Sequence, residues 1–562
     1  MINLCIGGAA GDGIETMAGI LEKILQRSGF HLFSMRDFMS RIRGGHNFAQ
    51  IRFSPNPVAA HTDALDILIA YDNRTYTEHQ ERLKPGGMLL CDPELGISDS
   101  RMLSIPIKKL ARESGSARTI GVVCVGALMK LFGLPLGAAE AVLGETLDTK
   151  ILDMNLAAVR KGFANAEQKQ KLSAPVPDGK LLMTGAEAMA MGALAGGLRF
   201  YSGYPMSPST TLLNFFTAHA QECRLVVEQA EDEIAAINMA LGASFAGAQA
   251  MVGTSGGGFS LMVEGFGFAG IAELPVVIVD AQRPGPATGF PTRTEQGDLL
   301  FACFASQGEF PRMVLAVRDH IDAFYQTARA LQLAKKYQIP VLVLSDQYLS
   351  DSAAAIAPPD IEKAAYSAAP LPPEDGESGE YLRYALTESG ISPLRVPGKS
   401  AALVRIDSDE HTEEGVITES AEVRAQMVDK RARKLEGLKT ELLEPTYIGV
   451  EKPEVLLVAF GSTAGAIAEA VSVLSGRGQS VGALLFGDLY PLPQKELLRY
   501  WKQANVVYSV EQNATAQLSK LIRMEANLSC ADSVLKYDGR QMSVDDILKG
   551  LAALGFGKEV PV

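Results

Sequence analysis

The stretch Pro275 to Asp280 is apolar up to its last residue, and Pro340 to Leu344 is apolar throughout. A strand wetted on one face alternates polar and apolar residues, whereas an unbroken Val/Ile/Leu run fits a strand covered on both faces, as in a parallel sheet between helices. Related patterns recur along the chain. Ile2 to Ile6 leads into Gly7-Gly8-Ala9-Ala10-Gly11-Asp12-Gly13 and a helical pattern through Ile20, Leu21 and Ile24. Leu65 to Tyr71 and Met88 to Cys91 are further buried-strand candidates, and Val455 begins a strand followed by a turn at Gly461-Ser462-Thr463 and a helix. Strands and glycine turns alternating with helices predict an α/β protein with mainly parallel sheets.

The chain has 562 residues, too many for one core, since single cores stop growing at roughly 300 residues. Asn165 to Gly179 is polar and carries Pro175 and Pro177, the composition of a connector. A first domain is therefore expected over 1–171 and a second over 179–352. Ala353 to Glu377, rich in Ala, Pro and acids, reads as an exposed linker opening a charged crossing segment, 353–445. Within it, the charge run Val428 to Leu435 reads as a solvated helix face. A third α/β domain is expected over 446–562.

A net charge of -13 offers no broad basic field, which argues against nucleic acid as a partner. The six cysteines stand singly, without the C-x-x-C spacing of zinc or iron–sulfur ligands, so no metal site is expected on this chain. Met1 to Ile6 has no basic n-region, and no apolar run reaches the length of about 20 residues that spans a bilayer. The expectation is a cytoplasmic chain outside the membrane.

Several loops carry residues suited to chemistry. The glycine run Gly7 to Gly13, with Gly8, Gly11 and Gly13, lies between strand and helix, where backbone N–H groups favour a phosphate; tight strand-to-helix packing reads the same way. Arg41-Ile42-Arg43-Gly44-Gly45-His46-Asn47 sets Arg43 beside a glycine pair, either an anion site or exposed arginines on a turn. In Tyr204-Pro205-Met206-Ser207-Pro208-Ser209-Thr210, prolines stiffen a hydroxyl-rich loop that fits a carboxylate or carbonyl, or else a turn with Ser209 or Thr210 as a helix cap. Glu228-Gln229-Ala230-Glu231-Asp232-Glu233 opens a helix. The helix dipole explains acids there, but one turned inward beside a heteroaromatic cofactor would be a proton-relay group. Thr254-Ser255-Gly256-Gly257-Gly258 and Gln282 to Asp298 read as loops at strand C-terminal ends, where open α/β sheets bind ligands, and Arg283 suits a bidentate carboxylate clamp. A solvated surface excursion remains the alternative for the longer loop.

Taken together, Tyr204 to Thr210, Gln229 to Ala236 and Gln282 to Asp298, with Ser392-Pro393, Asp409-Glu410-His411, Gly415, Thr418-Glu419, Glu511-Gln512-Asn513 and Gln517-Leu518, resemble the α subunit of the 2-oxoacid:ferredoxin oxidoreductases. The form resembled is the long one, with a γ-type domain fused ahead. The resemblance implies three α/β domains: the γ-type domain, a pyrimidine-type thiamine-diphosphate-binding domain and a transketolase C-terminal-like domain. It implies that Glu233 reaches a partner subunit's thiamine diphosphate and hydrogen-bonds the aminopyrimidine ring, near Tyr204, Pro205, Ser255 and Gly256. Ser207, where the family has threonine, and Arg283 face the substrate. Leu394 stands where an arginine is common, which leaves Arg395 and Arg293 to read the substrate's tail.

By the same resemblance, the diphosphate, Mg²⁺ and a [4Fe–4S] cluster belong to the β subunit, where ferredoxin docks. Gly11-Asp12-Gly13 is thus not the cofactor's metal motif. Coenzyme A is expected near Gly8, Gly11, Gly13, Arg43, Gly44 and Gly45. The implied reaction is CoA-dependent oxidative decarboxylation of a 2-oxoacid, most like 2-oxoglutarate, in an (αβ)2 assembly. The rivals are a branched-chain 2-oxoacid or pyruvate, which an apolar pocket around Phe290 would favour, a purely scaffolding subunit, and an NAD-dependent dehydrogenase using the first glycine loop.

Overall fold

The computed structural model describes residues 1–39, 44–365, 381–399 and 402–557, which divide into two units. The first comprises Met1–Thr184 with Asp351–Pro358 and Ser543–Asp546, and the second comprises the rest.

The first unit is built on an eight-stranded sheet, in the order Met102–Ser104, Leu83–Cys91, Leu65–Ala70, Ile2–Ala10, Gly44–Ser54, His31–Asp37, Ala353–Ile356, Leu181–Thr184. The first four run parallel, and the pairings from Ile2–Ala10 onward are antiparallel. The α/β class holds, while half of this sheet is an antiparallel extension that the residue pattern does not announce. The expected linker from 353 is corrected at its start: Ala353–Ile356 lies between Leu181–Thr184 and His31–Asp37 and pairs with both, because four small and apolar residues fit inside the sheet.

The second unit holds two sheets. One has seven strands, in the order Asp488–Tyr490, Met313–Ala316, Pro340–Asp346, Val276–Gln282, Ala250–Thr254, Phe200–Gly203, Val226–Gln229, all pairings parallel except the first. Every residue of Ala250–Thr254, Val276–Gln282 and Pro340–Asp346 is buried, the double coverage that the apolar runs predict. The other has five strands, Thr446–Gly449, Val481–Phe486, Val455–Phe460, Val506–Glu511, Asp532–Leu535, with only its first pairing antiparallel. Leu456, Val458 and Phe460 join Val252, Ile278 and Leu344 in one continuous hydrophobic core.

The charge run is the second correction. Met427, Lys430, Arg431, Lys434 and Leu438 form the buried stripe of the Ala421–Lys439 helix. Their helical spacing is that of an amphipathic face, but cations fill its middle. Lys430 Nζ meets Glu273 Oε1 at 2.5 Å, Lys434 meets the other oxygen, and Arg431 forms a fork with Glu410 at 3.0 and 2.8 Å. Lys430, Arg431 and Lys434, expected to be solvated, are therefore the internal half of an ion network, while Asp429 and Arg433 are exposed as expected.

Candidate active site

The C-terminal ends of Phe200–Gly203, Ala250–Thr254 and Val276–Gln282 lie side by side, and the loops that leave them carry most of the predicted site residues. After Gly203 comes the proline-stiffened loop. Ser209 Oγ donates to the Met206 carbonyl at 2.7 Å and makes no side-chain cap to the helix Thr210–His219, so this hydroxyl braces the turn instead of capping the helix. Arg283 Nη1 donates to the Ser207 carbonyl at 2.6 Å. The two residues expected to face substrate are thereby brought together, while Tyr204 and Pro205 are exposed beside them.

Glu233 opens the helix Glu233–Phe245, whose N-cap Asp232 accepts the Ala235 N–H at 2.8 Å. Glu228, Glu231 and Asp232 are exposed, whereas Glu233 is 3% exposed and its Oε1 has no hydrogen-bond partner. An unpaired buried carboxylate oxygen is costly. Of the acidic run, then, one member faces inward and lacks the donor that its burial calls for. A protonated or N–H-bearing ring nitrogen would fit it.

Glu233 rests on the head of the helix Gly256–Ile271. A Cβ on Gly258 would fall on Thr254 Oγ1 and 2.7 Å from Glu233 Oε1, so glycine is what admits the carboxylate. At the N-cap, Ser255 makes no capping bond and its buried Oγ is unpartnered.

Three further acids stand at this edge: Asp280, and Glu295 and Asp298 from the Gln282 to Asp298 motif, none of which the sequence gives a role. Asp280, paired in register with Thr254, is fully buried with both oxygens unpartnered; burial and then the nearby Asp298 push its carboxyl well up. Burial raises Asp298 to about 6, and burial with the Asp298 charge raises Glu295 to about 7. The available signal was an acid closing a wholly apolar strand, since an Asp after Val276 to Val279 had to be buried or end the sheet.

Arg395 and Arg293 have other surroundings. Arg395 lies over the Tyr381 ring, 5.1 Å from its centroid, and its N–H bonds the Tyr381 hydroxyl at 3.0 Å. Arg293 packs beside Phe290 at the Gly539 turn, where an added Cβ would lie 3.3 Å from Arg293 Cβ and 2.9 Å from the Phe290 ring. Phe290 is 57% exposed.

In the first unit, Gly8 pairs with Asn47 and Ala10 with Gly44, so the two glycine-bearing segments are neighbours on adjacent strands. Gly11, Gly13 and Gly45 all have positive φ. Within the loop, Asp12 Oδ2 accepts the Ala9 N–H at 2.9 Å. Arg41 and Arg43 lie outside the described residues.

Comparison with known proteins decides the family. Residues 191–430 match the family described as pyruvate flavodoxin/ferredoxin oxidoreductase, thiamine diP-binding, residues 3–165 match pyruvate ferredoxin/flavodoxin oxidoreductase, and residues 453–547 match pyruvate:ferredoxin oxidoreductase core domain II. A 2-oxoacid:ferredoxin oxidoreductase subunit alpha from Sulfolobus is 33% identical, covering 97% of this chain and 96% of the relative. The chain is an α subunit of the 2-oxoacid:ferredoxin oxidoreductase family.

The 2-oxoglutarate synthase subunit KorA of Archaeoglobus fulgidus is 34% identical over 61% of this chain and 91% of its own length. The 2-oxoglutarate:ferredoxin oxidoreductase of Magnetococcus marinus, solved with 2-oxoglutarate, coenzyme A and succinyl-CoA bound, superposes with a TM-score of 0.91 at 32% identity, covering 98% of this chain and 99% of that one. Membership identifies this α subunit as part of an oxidoreductase complex that includes a partner subunit. Among the described residues no helix is long and apolar enough to cross a membrane.

Proposed function

We propose that this α subunit serves an enzyme converting 2-oxoglutarate, coenzyme A and oxidised ferredoxin into succinyl-CoA, carbon dioxide and reduced ferredoxin, reversibly. It works in the cytoplasm, in an (αβ)2 assembly whose β subunit carries the diphosphate of thiamine diphosphate, Mg²⁺ and a [4Fe–4S] cluster. The observation that carries the reading is the buried, unpartnered Oε1 of Glu233 at the C-terminal edge of a parallel sheet. Bound thiamine diphosphate supplies a nucleophilic carbon and an electron sink.

Glu233 holds or releases the proton at the pyrimidine ring nitrogen, with Tyr204, Pro205, Ser255 and Gly256 shaping the surroundings of the ring. Arg283, braced on the Ser207 carbonyl, presents its remaining N–H groups to the substrate carboxylate, and the Ser207 hydroxyl donates beside it. Arg395 and Arg293 read the distal carboxylate. Gly8, Gly11, Gly13, Gly44 and Gly45, with Arg43, receive coenzyme A. The choice of 2-oxoglutarate follows the Magnetococcus enzyme and the KorA subunits.

The test is reconstitution with the β subunit and assay of a panel of 2-oxoacids with a low-potential acceptor. Glu233→Ala is expected to lower turnover roughly 10²-fold or more. Near-normal turnover would leave the chain a scaffold and end the catalytic reading. Preference for pyruvate or a branched-chain acid would overturn the substrate and point to Phe290 as the wall of an apolar pocket.

A further inference from the structure

A second carboxylate shares the helix head with Glu233. A Cβ on Gly256 would fall on Asp298 Oδ2 and 2.7 Å from its Oδ1, just as one on Gly258 would meet Thr254 and Glu233. The first turn of the Gly256–Ile271 helix is thus wedged between two acids, and both approaches depend on the missing side chains. A helix head is electropositive and its first amides lack helical partners. With Ser255 making no capping bond, the acid packed against it is Asp298, whose Oδ2 has no hydrogen-bond partner.

Asp298 is in turn fixed from the other side. Its N–H bonds Gln282 Oε1 at 3.0 Å. Ahead of it, Gln296 Nε2 donates to the Phe460 carbonyl at 2.7 Å, and Gln296 Oε1 accepts the Gln512 N–H at 3.1 Å. Gln517 Nε2 donates to the Gly297 carbonyl at 2.6 Å, while its Oε1 accepts the Leu300 N–H at 2.9 Å. Glu511 anchors that clamp by accepting the Leu518 and Ser519 N–H groups at 2.8 and 3.1 Å. The Glu511-Gln512-Asn513 and Gln517-Leu518 segments, which the reaction does not use directly, thereby hold the loop on which Asp298 sits.

We propose that Asp298, presented by this glutamine clamp, is a positioning residue for Glu233: its charge fixes the first turn of the Gly256–Ile271 helix and so the surface on which the Glu233 carboxyl rests. The inference rests on the reading of Glu233 given above. The ionisable groups facing Asp298 are Asp280 from the adjoining strand, Glu295 from its own loop and Glu233 across the helix head. Burial and the nearby Asp298 favour the neutral form of the Asp280 carboxyl, whereas Asp298 ionises as pH rises through about 6. The charged, ordered head therefore belongs to the enzyme above that pH.

The test uses the whole αβ complex with Asp298→Asn, which keeps shape and removes charge, alongside Glu233→Ala. Two quantities are followed: kcat and KM against pH, and the exchange of the C2 proton of bound thiamine diphosphate for deuterium without oxoacid. In Asp298→Asn, kcat and the exchange rate should each fall roughly tenfold, with KM for the oxoacid changed less than about twofold. The acid limb near pH 6 should disappear. Gly256→Ala, which displaces Asp298 without altering its charge, should slow exchange and shift that limb, and it answers the question if Asp298→Asn does not assemble. Unchanged exchange and pH profile in Asp298→Asn, or in Gly256→Ala, overturn the proposal provided Glu233→Ala is impaired. Normal exchange in Glu233→Ala overturns the reading of Glu233 itself.

Discussion

Glu273, three residues ahead of the Val276–Gln282 strand, and Asp280, near that strand's far end, are both fully buried acids, and the fold treats them oppositely. Burial alone would raise Glu273, but Lys434 and Lys430 outweigh it and hold the carboxyl down at about 2, even though the residue sits in the left-handed backbone region at φ 52. At the other end, burial and then the nearby Asp298 drive the unpartnered Asp280 up, and burial drives Asp298 up. One end of the strand is an ion network that the fold completes for itself. The other is left electrostatically incomplete, and that end is where Glu233 Oε1 is buried without a hydrogen-bond partner. Sites that must bind and move protons are commonly less stable than they could be.

The comparison breaks most visibly at Glu273. Glu273→Ala strands two buried ammonium groups, and breaking a buried pair in this way costs about 3–5 kcal/mol. Urea unfolding of the complex should show that loss, with turnover per folded enzyme unchanged; a shift near zero would mean the lysines find water.

A smaller effect of opposite sign is expected at Asp298. In the unfolded chain its carboxyl ionises near 4, roughly the value of a free aspartate, but in the folded chain at about 6. Between those values the folded state keeps a proton that the unfolded state has released, so stability falls as pH rises through this window and stays lower above it. Asp298→Asn removes the penalty. It should gain about 1–2 kcal/mol at pH 8, with the gain vanishing toward pH 4, in melting curves recorded across that range. A gain independent of pH would place its origin elsewhere. The smallest change belongs to Asp280→Asn, which replaces a carboxyl whose burial favours the neutral form with a neutral group of the same shape. Its stability at pH 7 should stay within about 0.5 kcal/mol of the unsubstituted enzyme's in melting curves, and a large gain there would show that Asp280 carries an uncompensated charge.

Glu233 is picked out by the resemblance of the surrounding motifs to one family, whereas the residues alone say only that one acid of a run favoured by the helix dipole could turn inward. The layering is legible in the order of residues, since Val276 to Val279 and Pro340 to Leu344 could only be strands covered on both faces. Lys430 and Lys434 mislead because a cation's solvation is inferred from its type, whereas its burial depends on whether an acid from another segment is waiting, and Glu273 lies 157 residues from Lys430. Ala353–Ile356 misleads for a similar reason: four residues say nothing about which distant edge will accept them.

The chain's own order of residues determined its α/β character and its repeated strand–turn–helix plan, because periodicity and local chemistry act over a few neighbours. Only the tertiary structure decided which buried charges are paired and which are left open, which glycines make room for carboxylates, and that glutamines near residue 515 steady a loop near residue 297. Those outcomes depend on pairings across long stretches of chain, and electrostatic energy is set by distance in space and by the water excluded there.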